Sequence, residues 1–194
     1  MIQEVIILAG GLGTRIYPLS KSTPKPMIDI GGKPILWHIM KVYQQFGIND
    51  FFLALGYKGE VIKDYFINYH ARQSNLNIEL KSGKVQYSDP TSEDWNISLI
   101  DTGPSTMTGG RLLRLKSYLK DSGTFMLTYG DGVSDINIKE LCTSPVRMEY
   151  MENQGYYITK LHMCKVFKWF GMSLIVVWEK GGKSILSYDR KVWR

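Results

Sequence analysis

Gln3-Glu-Val-Ile-Ile-Leu-Ala-Gly-Gly-Leu-Gly-Thr-Arg15 is the stretch that decides the fold. Its first seven residues form a short, β-branched, apolar run, the pattern of a strand buried on both faces of a parallel sheet. Glycines at 10, 11 and 13 stop the run abruptly. Outward from there, residues 10–26 read as a loop rich in Gly, Pro, Ser and Thr. Residues 34–46 carry Ile35, Leu36, Ile39, Met40, Tyr43 and Phe46 at helical spacing, with Pro34 suited to a first turn and Gly47 to a C-cap. Residues 51–55 predict a second strand. Residues 60–69 predict a second helix with Ile62, Tyr65, Phe66 and Tyr69 on one face. Short strands are expected at 77–80 and 85–87 around Gly83, and at 97–100; a helix is expected at 110–119 and a strand at 124–128. Strands alternating with helices predict a doubly wound α/β sheet, mostly parallel, with helices on both faces. In such sheets ligands bind beyond the carboxyl ends of the strands. Both the glycine loop and the loop from Tyr129 to Gly132 belong to such ends.

The glycine loop suits a heavily anionic ligand. Glycines let the backbone turn sharply and bring N–H groups against a phosphate without a Cβ in the way. Arg15 and Lys25 add positive charge, and Pro24 and Pro26 stiffen the chain around Lys25. Three commoner glycine loops are excluded. A dinucleotide fingerprint starting at Gly11 and Gly13 needs a small residue where Ile16 stands. A phosphate-binding loop ending in Gly-Lys-Ser/Thr fails at Gly32-Lys33, which Pro34 follows, and at Gly182-Lys183-Ser184, where Val177 occupies the leading glycine position.

Gly10-Gly-Leu-Gly-Thr-Arg15 followed by Pro24-Lys25-Pro26 resembles the signature of the sugar-1-phosphate nucleotidyltransferase family. Gly31-Gly-Lys-Pro-Ile-Leu-Trp-His-Ile-Met-Lys41, Gly56-Tyr-Lys-Gly59, Asp101-Thr-Gly103, Met107-Thr-Gly-Gly-Arg-Leu112 and Tyr129-Gly-Asp-Gly-Val133 are similar to the members that use CTP and glucose 1-phosphate. The resemblance covers residues 3–141. It implies a Rossmann-like nucleotide-diphospho-sugar transferase fold, truncated on its C-terminal side. It implies CTP and α-D-glucose 1-phosphate as substrates, CDP-glucose and pyrophosphate as products, and a divalent metal, usually Mg²⁺. The product would feed dideoxysugar synthesis for surface polysaccharide such as O-antigen. By the same resemblance Leu8, Ala9, Gly10, Gly11, Leu12, Gly13, Thr14 and Arg15 cradle the nucleotide. Arg15 and Lys25 are the catalytic cations, on the phosphates and the reacting phosphate respectively. Thr106, Arg111 and Gly130 line the nucleotide site, and Asp131 holds the metal. The types suit the reaction: a phosphate oxygen is already ionised near neutral pH, so cations and aligned N–H donors carry the catalysis and no general base is needed. Asp101 reads as structural, paired with Arg111 or capping a turn. His38 reads as a packed histidine. Trp37 and the stripe of Tyr65, Phe66 and Tyr69 read as core or subunit contact.

Beyond residue 141 the chain changes character. Residues 1–141 hold 15 Lys and Arg against 14 Asp and Glu, whereas residues 142–194 hold 9 against 4, so nearly all of the net charge of +6 belongs to the tail. The tail also holds three of the five tryptophans and both cysteines, Cys142 and Cys164. Strand-like runs occur at 167–170 and 174–178, without anything to set their register. The expected organisation is a nucleotidyltransferase part over 1–141 and a divergent basic tail over 142–194, frameshifted or poorly folded, which leaves a sheet edge exposed. The family's later Glu-Lys-Pro and Asn-Gly-Gly-Phe segments and its second metal aspartate are not recognisable there, so an inactive, nucleotide-binding remnant stands as an alternative. A nucleotidyltransferase for another base or sugar is a further one. Two cysteines fit no disulfide framework and no zinc pattern. The longest apolar run, 170–178, is too short to span a bilayer, and no secretory leader is apparent. The expectation is a cytoplasmic protein that binds no membrane, and no nucleic acid because the basic tail lacks a reader motif. Homo-oligomerisation remains open.

Overall fold

The structure is a computed structural model, and it describes residues 4–13, 22–88, 93–119, 124–134, 137–139, 161–162 and 175–179. In chain order the elements are β1 (Glu4–Leu8), a 3-10 turn (Lys25–Met27), β2 (Asp29–Ile30), β3 (Lys33–Pro34), α1 (Ile35–Gln44), β4 (Asp50–Leu55), α2 (Gly59–Ile67), α3 (Tyr69–Gln73), β5 (Asn75–Glu79), β6 (Lys84–Ser88), β7 (Asn96–Asp101), α4 (Thr108–Leu115), β8 (Thr124–Tyr129), β9 (Leu161–His162) and β10 (Ile175–Glu179). The main sheet runs β7-β4-β1-β8-β10-β9. The first four of these strands are parallel, and β10 and β9 join antiparallel. This is the mostly parallel sheet that the alternating pattern predicts.

Strand alternation divides the core in two. Val5 and Ile7 of β1, with Phe51, Leu53 and Leu55 of β4, pack against Leu36, Ile39, Met40 and Tyr43 of α1 and Ile62 of α2. Ile6 and Leu8, with Phe52, Ala54 and Leu127, face the other way and meet Leu115 of α4. Both faces of β1 are therefore covered, which is why its five residues are all buried and all apolar after Glu4. Each fully buried Ile or Leu here contributes about 1.5–3 kcal/mol from apolar burial. In α1 the buried residues fall at i, i+3, i+4 and i+7, with no glycine or proline between Ile35 and Gln44 to interrupt them.

Two expectations are corrected. The single helix expected over 60–69 is two, α2 and α3, separated at Asn68. The Asn68 side-chain amide donates to the Asp64 carbonyl at 2.9 Å, offering the backbone an alternative to a further helical turn. The edge expected to be exposed at β8 is occupied: β10 pairs with it from Val176↔Leu127 to Glu179↔Thr124. The strand-like run at 174–178 is thus realised as β10, while 167–170 lies outside the described residues.

The aromatic stripe of α2 and α3 is core, as expected. Tyr65 and Tyr69 are buried, and Trp37 Nε1 donates to the Tyr69 hydroxyl at 3.0 Å. The Tyr65 hydroxyl is buried without a hydrogen-bond partner among the described residues. Desolvation by burial, aided by Tyr69, pushes its pKa up to about 12 from the usual 10.0. A raised folded-state value contributes stability that is complete below pH 10.0 and is lost as pH rises through about 12. Tyr65→Phe is therefore expected to flatten the alkaline loss of stability over that window, and to leave neutral stability equal or higher. Urea midpoints at neutral and alkaline pH check this; an equally steep alkaline loss in the variant contradicts it.

Candidate active site

The carboxyl ends of β1, β4, β7 and β8 lie side by side, and backbone bonds tie their loops together. Ala9 N donates to the Ala54 carbonyl at 3.1 Å, Tyr57 N to the Gly10 carbonyl at 3.3 Å, and Gly130 N to the Leu8 carbonyl at 3.0 Å. The glycine loop is thereby fastened on both sides, at the Gly56-Tyr57 turn after β4 and at the Gly130 turn after β8. Leu8 and Ala9 are buried in the end of β1, whereas Leu12 is 56% exposed. Gly13 has φ +66, in the left-handed region. At Gly11 a Cβ would meet nothing within 4 Å, so this part of the loop opens outward, where a ligand's phosphate has room to approach its backbone. Thr14 and Arg15 lie outside the described residues.

Arg111, on α4, is 6% exposed and reaches under the glycine loop. Its Nη1 donates to the Leu55 carbonyl at 2.8 Å and to Thr102 Oγ1 at 2.6 Å. Its Nη2 donates to the Gly10 carbonyl at 2.9 Å and to the Pro104 carbonyl at 3.4 Å. One guanidinium thus joins the ends of β1, β4 and β7. Two glycines make room for it: a Cβ at Gly10 would stand 2.2 Å from Nη1, and a Cβ at Gly56 2.4 Å from the same atom. No carboxylate pairs with Arg111 among the described residues. Burial lowers its pKa, the neighbouring Arg114 lowers it further, and Asp101 partly opposes them. Asp101 itself takes the turn-capping role of the two open to it: its Oδ1 accepts from Gly103 N at 2.8 Å.

Lys25 and Asp131 meet across the site, Nζ to Oδ2 at 3.4 Å. Lys25 begins the 3-10 turn after Pro24, and Pro26, buried, packs where Gly130 passes. The pair is part-exposed, so it contributes at most about 1 kcal/mol to stability and separates readily. A triphosphate could draw Lys25 away and leave the Asp131 carboxylate to a cation. The Asp131 carboxylate is a hard oxygen donor of the kind a divalent cation accepts when water and phosphate oxygens complete its shell. Among the described residues there is no group of three or more His, Cys, Asp or Glu able to hold a metal alone.

Thr106 lies in the loop before α4, half-buried. Arg114 Nη1 donates to its Oγ1 at 3.0 Å and also to the Thr102 carbonyl. Lys58, at φ 54, donates from Nζ to the Ser22 carbonyl at 3.1 Å, holding the loop that leads to Lys25. Arg114, Thr102 and Lys58 were not legible as site residues. The one available signal is that Arg111 and Arg114 lie three apart on one helix face, two cations together. His38 is packed as expected, its Nε2 2.9 Å from the Ile30 carbonyl.

Residues 4–92 match the model of the nucleotidyl transferase family. The glucose-1-phosphate cytidylyltransferase of Salmonella typhimurium is 52% identical over 136 residues, which cover 70% of this chain and 53% of that protein. A Bacillus subtilis protein named "Probable glucose-1-phosphate cytidylyltransferase" is 49% identical over 163 residues, covering 84% of this chain and 61% of that protein. The chain thus spans a little over half the length of these curated relatives. Among solved structures, HddC from Yersinia pseudotuberculosis, crystallised in complex with GMP-PN, superposes with a TM-score of 0.53 at 27% identity, covering 73% of this chain and 53% of that one.

Proposed function

We propose that this chain, whose residues 4–92 match the nucleotidyl transferase family, binds CTP and joins it to α-D-glucose 1-phosphate, releasing pyrophosphate and CDP-glucose. The observation that carries this reading is the meeting of Lys25, Asp131 and the glycine loop at the carboxyl ends of parallel strands. The identity to two proteins named as glucose-1-phosphate cytidylyltransferases supports the choice of base and sugar.

The sugar phosphate oxygen attacks the α-phosphorus of CTP in line, and pyrophosphate leaves on the opposite side. Residues 8–13, with Thr14 and Arg15, cradle the nucleotide. Backbone N–H groups of the glycine loop, residues 10–13, would meet the polyphosphate, which Arg15 neutralises. Lys25 places its ammonium on the reacting phosphate. Thr106 and Gly130 line the nucleotide side, and Arg111 serves it from beneath through the Gly10 carbonyl. Asp131 would hold Mg²⁺, which neutralises phosphate charge when bound. Because charge must be held on equatorial and leaving oxygens, prearranged donors and cations supply most of the acceleration.

The division into residues 1–141 and a basic tail at 142–194 belongs to the same proposal, as do a cytoplasmic location, a product destined for O-antigen sugars, and a homo-oligomeric assembly. No helix among the described residues is long and apolar enough to cross a membrane. The purified chain is expected to release pyrophosphate only when CTP, Mg²⁺ and glucose 1-phosphate are all present. A coupled pyrophosphate assay with each component omitted in turn measures it. Binding of CTP without any release contradicts the catalytic reading and leaves a nucleotide-binding remnant. Equal release with another nucleoside triphosphate contradicts the choice of base.

A further inference from the structure

The turn between β4 and α2 grips two separate stretches of chain with two successive residues. Tyr57 N donates to the Gly10 carbonyl at 3.3 Å, where the glycine loop begins. Lys58 Nζ donates to the Ser22 carbonyl at 3.1 Å, three residues before Lys25. Gly10 and Ser22 stand on either side of residues 14–21, and one turn holds both.

Lys58 is an odd choice for this place. Its φ of 54 and ψ of 36 are left-handed, and it is the one non-glycine residue with a positive φ among the described residues. Glycine takes this conformation freely, whereas a Cβ crowds the following carbonyl. The turn itself needs no ammonium. Gly59 N closes on the Gly56 carbonyl at 3.0 Å, and Val61 N takes the Lys58 carbonyl at 3.1 Å, both through the backbone. A glycine at this position would make the same two bonds without the steric cost. What lysine adds is its side chain, whose ammonium lies 5.8 Å from the centre of the Tyr57 ring and on the Ser22 carbonyl. Strain kept where glycine would serve points to a task for that side chain.

The held carbonyl leads straight to Lys25. From Ser22 the chain passes Thr23 and the buried Pro24 into the 3-10 turn. Met27 N closes that turn on the Pro24 carbonyl at 2.8 Å, and Ile28 N on the Lys25 carbonyl at 3.1 Å. Pro24 and Pro26 lock their own φ, so little of a displacement at Ser22 is absorbed before it reaches Lys25.

We propose that Lys58 is a positioning residue: through Ser22 it sets where the Lys25 ammonium stands relative to the glycine loop, which Tyr57 holds from the same turn. This rests on the phosphate role given to Lys25 under the proposed function.

Calorimetric dissociation constants for inorganic tripolyphosphate, measured on the whole chain beside thermal melting, test it. Lys58→Gly is expected to melt at the native temperature or above, because the left-handed strain is relieved. It is nevertheless expected to bind tripolyphosphate about fivefold more weakly, the scale of one hydrogen bond. Lys58→Arg keeps a cationic donor and should recover most of the affinity. Losing a nearby positive charge would by itself weaken anion binding, so the comparison is repeated in Lys25→Ala. Acting through Lys25, Lys58→Gly should weaken binding no further in that background. Hydrogen exchange reads the tether without a ligand: the Met27 and Ile28 amides should exchange faster in Lys58→Gly, with those of β1 and β4 unchanged. Native affinity in Lys58→Gly, or native exchange at Met27 and Ile28, overturns the proposal. So does an equal loss of affinity with and without Lys25, and so does an earlier melt, which makes Lys58 a residue of the fold alone. Native protein that takes up no tripolyphosphate overturns the phosphate role of Lys25, and this proposal with it.

Discussion

Gly10→Ala is expected to destabilise the protein by about 3 kcal/mol or more, lowering the thermal midpoint by roughly 10 °C. The added methyl would stand 2.2 Å from Arg111 Nη1, 2.4 Å from Cζ and 2.8 Å from Nη2. The guanidinium has nowhere to go. Gly56 closes its other side, where a Cβ would stand 2.4 Å away, and four bonds to Leu55, Thr102, Gly10 and Pro104 hold it in place. Moving it breaks charge-assisted bonds, each worth about 1.5–3 kcal/mol, and strands a buried cation. Shortening the arginine makes room, so Gly10→Ala combined with Arg111→Ala is expected to cost less than the two changes summed. Gly11→Ala is the control. Its Cβ meets nothing within 4 Å, so stability should hold. Thermal or urea unfolding of the four variants measures this. Equal stability of Gly10→Ala and Gly11→Ala contradicts the clamp.

Lys25→Ala is expected to leave stability within about 0.5 kcal/mol of native and to reduce turnover by about 10²–10³-fold. The two effects part because the Lys25–Asp131 pair is part-exposed and stabilises little, while the same ammonium is worth far more against phosphate charge that develops in a transition state. Lys25→Arg keeps the charge but not the compact point-like shape, and should restore only part of the rate. Pyrophosphate release at saturating CTP, beside thermal melting, separates the two. A variant that melts early and loses activity in proportion gives Lys25 a structural role instead.

Much of the fold was legible because it is written in local runs. The apolar residues of β1 and β4 and the spacing of Leu36, Ile39, Met40 and Tyr43 say strand, strand and helix without reference to anything distant. The break at Asn68 was not legible, since it turns on one side chain competing for the Asp64 carbonyl inside a convincing apolar stripe. Leu174 to Trp178 read as strand-like, but its place beside β8 depends on a ladder to residues about fifty positions earlier, such as Val177↔Met126. In the site, the glycine loop and Lys25 stood out by type and spacing and Asp131 by family resemblance, and the structure brings Lys25 and Asp131 within 3.4 Å of each other. The reach of Arg111 was not. Its acceptors are main-chain carbonyls, chiefly of Gly10 and Leu55, 101 and 56 positions away, and carbonyls carry no letter in a sequence. Arg114 escaped for the same reason: its partners Thr102 and Thr106 meet it only because Gly103 lets the turn close.

On the proposed function, these strand ends build a nucleoside triphosphate site around Lys25 and Asp131. Calorimetric titration of the folded chain with CTP, with and without Mg²⁺, tests it most directly. Saturable one-to-one binding that tightens with Mg²⁺ and weakens in Lys25→Ala is the predicted result. A protein with a cooperative thermal transition that takes up no CTP at millimolar concentration would contradict it.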